Sequence, residues 1–168
     1  MKGKVFLVVT SLLLMAGVAF GDSWTMSTHY LRLNQASPGG NTENYGIGVS
    51  YDWMLDQNMT FAVEGIGSWD NDANIYGGGM NMKMHLGNMG ETNMYAGAYA
   101  DWLCASNLYT DTGSKCGLMW GPLVGMKMPM QENVSLFCQY QYGWIDGGTL
   151  RDAFDEAQMI VVGLEMPF

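Results

Sequence analysis

The chain has 168 residues, a hydrophobic content of 48% and a formal net charge of −9. A chain of this length suffices for one domain. Seven basic residues against 16 acidic ones exclude the nucleic-acid-binding class, whose members carry basic patches.

The N-terminal segment has the features of a cleaved export signal. Its first four residues include two lysines, and the uncharged run that follows is short for a membrane-spanning helix of about 20 residues. Ala19 and Gly21 have the size and spacing of a signal-peptidase site. We therefore expect a signal peptide over residues 1–21 and a single domain over residues 22–168. A retained N-terminal anchor helix is the alternative.

Beyond this segment, apolar residues recur at every second position, which is the period of a β-strand. In the clearest stretch, residues 45–53, aromatic and aliphatic side chains alternate with Gly, Ser and Asp. The first stretch is the least regular, because Arg32 and Leu33 break its alternation. The eight predicted strands span residues 23–33, 45–53, 59–69, 76–86, 93–103, 118–128, 134–144 and 158–168.

The lengths of the connections favour a membrane barrel over a soluble sheet, although soluble strands with one wet face also alternate. Transmembrane barrels have short periplasmic turns and longer external loops. The connection at 70–74 is an exception, because it is short although it lies at the end of the barrel that carries the long loops. Short connections at 55–58, 87–92 and 129–133 alternate with long ones at 34–44, 104–116 and 145–157. A soluble secreted barrel that binds an apolar ligand stays open as an alternative.

Aromatic residues lie at the ends of the predicted strands. Amphipathic rings prefer the two water boundaries of a bilayer, where they form girdles. At the opposite strand ends lie Trp24, Trp53, Phe61 and Phe168. The predicted external girdle comprises Tyr30, Tyr45, Trp69, Tyr76, Trp102, Trp120 and Trp144.

The charged residues of the strands fall on the face opposite the apolar one. Backbone groups in lipid must all be paired, so membrane-spanning strands must close into a barrel. We therefore expect an all-β, eight-stranded antiparallel up-and-down transmembrane barrel. Side chains just fill an interior of this size, which favours a plugging polar network over an open pore. The predicted interior network comprises Asp52, Glu64, Lys83, His85, Asp101, Lys127 and Glu165.

This architecture resembles the small outer-membrane barrels typified by the OmpA transmembrane domain, OmpX and the opacity proteins. The resemblance covers residues 22–168, and its most specific element is the last strand, which is similar to the signal read by the barrel-assembly machinery. It implies residence in the outer membrane of a Gram-negative-type bacterium, with outer-membrane lipid and lipopolysaccharide as neighbours. The chain departs from the family in its methionine-rich lipid face and in Pro167, which lacks an N–H for the ladder. The predicted assembly signal comprises Ile160, Val162, Leu164, Met166 and Phe168.

Cys104 and Cys116 lie at the facing ends of adjacent predicted strands. In an oxidising periplasm this placement predicts a disulfide, with a free pair as the alternative. Cys138 falls on the lipid face, where a thiol behaves as a small hydrophobe.

The predicted external loops are acidic. One interpretation is that these are solvated loop tips without a specific function. The other is that the carboxylates bind divalent cations shared with anionic lipid head groups. Weak candidates for such a site are Asp152, Asp155 and Glu156, although no EF-hand spacing is present. No other metal site and no cofactor are expected. The loop carboxylates belong to Glu43, Asp70, Asp72, Asp111, Asp146, Asp152, Asp155 and Glu156, against Lys115 and Arg151.

The sequence favours a scaffold over an enzyme. Small barrels that modify lipid A use Ser with His and an acid, and Ser27 and His29 stand two apart on the first strand, but their order differs from that arrangement. We therefore expect no catalysis, with four external loops serving adhesion, surface interaction or envelope integrity. A lipid-modifying enzyme is the alternative, and no host or surface ligand is named by the loops.

Overall fold

The computed structural model describes residues 23–35, 41–70, 73–106, 113–131 and 133–167. The predicted signal peptide and Phe168 lie outside the described residues. Eight strands make up the fold: β1 (Ser23–Gln35), β2 (Asn41–Met54), β3 (Met59–Trp69), β4 (Asn74–Met89), β5 (Thr92–Ser106), β6 (Lys115–Gln131), β7 (Val134–Asp146) and β8 (Phe154–Pro167).

Each strand pairs antiparallel with the next, and β8 returns to pair with β1, so that the sheet closes. Closure leaves no unpaired strand edge. The predicted eight-stranded up-and-down barrel is thereby confirmed. Among the described residues, no helix has the length and apolarity needed to cross a membrane.

The strands extend further toward the external end than the alternation predicted. β2 begins at Asn41 instead of residue 45, β6 at Lys115 instead of 118, and β8 at Phe154 instead of 158. The connections predicted at 34–44, 104–116 and 145–157 are therefore shorter in the structure than the sequence indicated. They shorten because both strands continue to pair past the predicted aromatic girdle.

Glycines on the inward face make room for large side chains of other strands. A Cβ added to any of these glycines would overlap the side chain that lies over it. Small and large residues thus alternate around the narrow interior of the described strands, as in other small barrels. The seated pairs are His29 over Gly46, Asp101 over Gly79, Tyr95 over Gly125, Tyr99 over Gly143 and Phe137 over Gly163.

The predicted break in the first strand is wrong. Leu31 and Leu33 are fully buried and continue the inward alternation of Thr25 and His29, whereas Arg32 lies on the outward side. What changes at this point is the polarity of each face, because the inward residues become apolar and the outward ones polar.

Candidate functional site: the barrel interior and its external mouth

The periplasmic half of the interior contains a hydrogen-bonded chain across three strands. Thr25 Oγ1 and Ser50 Oγ lie 2.6 Å apart, and the Ser50 hydroxyl donates to Asp52 Oδ1 at 2.6 Å. Lys83 Nζ lies 2.8 Å from Asp52 Oδ2, inside the barrel. The Lys83 ammonium therefore neutralises the buried Asp52 carboxylate. Without such a partner, a charge at this depth would be costly.

A second ion pair joins β6 to β8. Lys127 Nζ lies 2.6 Å from Glu165 Oε1, and the Ser23 hydroxyl donates to the same oxygen at 3.1 Å. Each of the two lysines of the predicted network thus forms an ion pair with one carboxylate.

The remaining members of the predicted network fall into separate groups. The Asn81 amide donates to Glu64 Oε1 at 3.0 Å, and His85 contacts Thr60 and Asn93 at 3.2 Å each. Asp101 is completely buried, and neither it nor Glu64 forms an ion pair with a described lysine or arginine. Salt bridges among the described residues thus join two pairs of the predicted set, while Glu64 also interacts electrostatically with Lys83, Asp52 and Asp101.

The polar half encloses little free space. A cavity of about 20 Å³ lies among Thr25, His29, Ser50, Glu64 and Lys83. This volume accommodates about one water molecule.

The external half of the interior is an apolar core. We call the segment Gly147–Phe154 the mouth cap. Its Leu150 is 0% exposed and Phe154 is 1% exposed, because both side chains pack into the end of the barrel. They cover a core that includes Leu31, Leu33, Ile75, Leu103, Met119 and Ile145.

Backbone geometry and hydrogen bonds hold the mouth cap in place. Gly147 and Gly148 adopt φ values of +66° and +68°, which other residues rarely adopt and which turn the chain back over the barrel. The Leu150 N–H donates to the Cys116 carbonyl at 3.0 Å, and the Leu150 carbonyl accepts from the N–H of Phe154 at 3.0 Å. The external end is therefore closed by packed side chains.

A disulfide joins Cys104 to Cys116, which are direct partners in the β5–β6 ladder. Both lie on the outward face, Cys104 two residues beyond Trp102 and Cys116 four residues beyond Trp120 along their strands. Cys138 is a free, exposed thiol on the outward face of β7.

The outward face forms an apolar belt with aromatic residues at both ends. Tyr30 and Tyr45 have ring centroids 5.3 Å apart, and Trp120 and Trp144 have centroids 5.2 Å apart. The other predicted external girdle residues, Trp69, Tyr76 and Trp102, are also exposed on this face. At the periplasmic end, ring contacts connect Trp24, Tyr51, Trp53 and Phe61.

The last strand stays paired along its whole described length. Ile160, Val162 and Leu164 are exposed on the outward face, and Met166 is half-buried. Pro167 still stands opposite Ser23 of β1, so the missing N–H does not end the ladder before that residue.

Past the external girdle the outward residues are polar. Arg32 stands opposite Glu43 in the β1–β2 ladder, and Asp146 lies two residues beyond Trp144. The outward residues Asn74 and Glu156, near the ends of β4 and β8, stand opposite Trp69 and Trp144. Only between the two girdles, therefore, does the barrel place apolar side chains outside and polar side chains inside. Beyond the external girdle the exterior is polar and the interior is mostly apolar, with Thr42 and Asn44 of β2 as buried polar residues.

The predicted Ser–His pair is not assembled as a catalytic group. His29 Nε2 lies 2.6 Å from Ser68 Oγ, not from Ser27, and its Nδ1 is buried with no hydrogen-bond partner among the described residues. A Ser–His–acid triad needs a carboxylate at that second nitrogen. None of the described carboxylates is hydrogen-bonded to His29.

The three weak cation candidates do not converge either. Asp152 and Asp155 are exposed, while Glu156 accepts a hydrogen bond from the Asn34 amide at 3.4 Å. Within the described ranges, no group of three or more His, Cys, Asp or Glu side chains is placed to hold a metal ion.

Comparisons with known proteins place this fold among small outer-membrane barrels. No family model and no curated protein matches the chain. Among solved structures, Neisserial surface protein A is similar with a TM-score of 0.72 at 17% identity, covering 87% of this chain and 96% of that one. Ail, the attachment invasion locus protein of Yersinia pestis, has a TM-score of 0.59 at 12% identity, covering 89% and 99%.

The outer membrane protein OprG of Pseudomonas aeruginosa has a TM-score of 0.54 at 10% identity, covering 89% of this chain and 97% of that one. These likenesses establish the fold, and the apolar belt of this chain matches the requirement of a barrel in lipid. The chain therefore has the fold of these outer-membrane β-barrels.

Proposed function

We propose that the chain is a structural and surface-interaction scaffold of the outer membrane, and not an open pore or an enzyme. The observation that carries this proposal is the closed lumen. Leu150 and Phe154 fill the external end, and ion pairs and seated side chains fill the periplasmic half. Such packing supports a barrel that does not conduct hydrated ions.

No carboxylate in the described part of the chain is hydrogen-bonded to His29, which supports the non-enzymatic part of the proposal. The Ser68 hydroxyl and the imidazole are also both buried inside the barrel, where a lipid substrate in the membrane has no access to them. Comparing lipid A masses with and without expression tests this part. Unchanged masses are expected, and an expression-dependent change would identify an enzyme.

The external rim is the surface that such a scaffold presents. The exposed acidic residues there outnumber the basic ones, and Arg151 is already paired with Asp146 at 2.7 Å. A partner with a basic surface is therefore favoured by charge over a polyanion. Outer-membrane lipid and lipopolysaccharide would surround the belt, and the barrel-assembly machinery would bind the last strand during insertion.

Single-channel recording in planar bilayers tests the closed scaffold. The folded protein is expected to give no stepwise current. Steps with ohmic conductance from single molecules would contradict the proposal. Heat-modifiable migration of the same preparation on gels would show that the inserted protein was a closed barrel.

A further inference from the structure

The mouth cap packs against Gly117 of β6, and two hydrogen bonds join it to the backbone of the neighbouring Cys116. The Cys116 N–H donates to Thr149 Oγ1 at 3.2 Å, and the Cys116 carbonyl accepts from the Leu150 N–H at 3.0 Å. Gly148 packs directly against this carbonyl, and a Cβ at that position would overlap it. Displacement of Cys116 would therefore break both hydrogen bonds and the contact of Gly148 with this carbonyl.

The position of Cys116 depends on its disulfide to Cys104. The β5–β6 ladder ends one residue further on, where Ala105 stands opposite Lys115. Hydrogen bonds at the end of a ladder open more readily than those in its middle. The disulfide is thus the covalent link that holds the attachment point of the cap against fraying.

The disulfide is placed within reach of water-soluble reagents. Both cysteines are half-buried on the outward face. Cys104 lies two residues, or about 7 Å, beyond Trp102, and Cys116 lies four residues, or about 13 Å, beyond Trp120. The exposed Ser114 hydroxyl lies 3.9 Å from Cys116 Sγ. Cys138, in contrast, faces the apolar belt.

We propose that the mouth cap is a redox-sensitive lid, whose closure is controlled by thiol–disulfide exchange at Cys104–Cys116. A dithiol reductant gives up two electrons and two protons, so that Cys104 and Cys116 become thiols and the reductant becomes a cyclic disulfide. In the disulfide form Leu150 and Phe154 stay packed in the mouth. In the dithiol form the cap detaches and uncovers the apolar core beneath it. This inference does not depend on the proposed scaffold function.

Hydrogen–deuterium exchange on the folded full-length barrel, with and without dithiothreitol, tests the lid. Alkylation and mass analysis would verify that two thiols besides Cys138 have formed. In the reduced barrel, peptides covering the mouth cap should exchange on the order of tenfold faster, because their hydrogen bonds to Cys116 are lost. Peptides covering the periplasmic turn 55–58 should be unchanged.

Two variants complete the experiment. The double variant Cys104→Ser/Cys116→Ser should show fast exchange in the cap with and without reductant. The matched control Cys138→Ser removes the thiol in the belt and should respond to reductant as the unaltered chain does. Reduction of the already folded barrel needs no refolding, so the test stands even where the double variant fails to fold.

Three results would overturn the lid. The first is a cap that exchanges at the same rate in the disulfide and dithiol forms. The second is an equal acceleration over all strands, which would indicate general destabilisation. The third is a disulfide that resists dithiothreitol in the folded barrel, since the lid requires access to that bond.

Discussion

Lys127 and Glu165 lie on β6 and β8 and meet inside the barrel, with Nζ and Oε1 2.6 Å apart. The pair spans the intervening strand β7, so it holds together three neighbouring strands that the backbone ladder joins only two at a time.

We expect Glu165→Gln to lower the free energy of unfolding by about 1–3 kcal/mol, because it leaves the Lys127 ammonium unpaired in a half-buried site. Urea titration in detergent, followed by the gel shift between folded and unfolded forms, measures this. The double variant Lys127→Met/Glu165→Leu should recover part of the loss, since it removes both charges. A double variant as unstable as the single one would contradict an electrostatic role.

Gly79→Ala should destabilise the barrel by about 1–3 kcal/mol or prevent its folding, because the added methyl group overlaps the buried Asp101 carboxylate. The matched control is Gly65→Ala, whose Cβ would point outward and meet its nearest atom at an ordinary 3.9 Å. The same urea titration compares the two. Equal stability of both variants would mean that Asp101 does not occupy the space above Gly79.

Val162→Arg should cost about 2–4 kcal/mol of barrel stability in a bilayer, as expected for a charge placed in the lipid-facing belt. Asn74→Arg, on the outward face beyond the girdle, should change stability by less than about 1 kcal/mol. Unfolding from lipid vesicles of defined thickness measures both. If the belt faced water, Val162→Arg would be no more destabilising than Asn74→Arg. A chain that stays monomeric and folded without detergent would likewise show that the belt faces water.

Deletion of Phe168 should reduce the yield of heat-modifiable barrel in the outer-membrane fraction more than it alters any function of the external loops. The reason is the resemblance of the last strand to an assembly signal ending in an aromatic residue. Quantitative immunoblotting of that fraction tests it, with a chain carrying Phe168→Tyr as the control that keeps an aromatic terminus. Normal yields from the deletion would rule out this signal.

The alternation of side chains was enough to predict the strands and the faces of the belt, because the period of a strand is local. It was also enough to place Cys104 opposite Cys116 across a single loop. The groups formed by Glu64, Asp101 and His29 were not predictable, because their partners depend on the stagger between strands that closure imposes. Ser68, for example, lies 39 residues from His29 in the chain.

The reversal of polarity beyond the external girdle had a signal that the sequence interpretation missed. Leu31 and Leu33 keep the inward parity of the first strand, and Arg32 keeps the outward one. A strand that continues through the girdle into water must exchange the polarity of its faces without changing its period. Following the parity past Tyr30 would have predicted the longer first strand and its apolar inward face.

The seam between the first and last strands sets a condition on biogenesis. Ser23 stands opposite Pro167 and Trp24 opposite Met166, so the ladder that completes the cylinder is made from the two ends of the folded domain. No partial chain emerging in order can form that ladder, and contacts so distant in sequence form slowly. Nascent copies must therefore be kept from associating with one another until the final strand arrives. The same proximity means that a short linker from Pro167 to Ser23, with a new break in an external connection, should yield a circularly permuted cylinder.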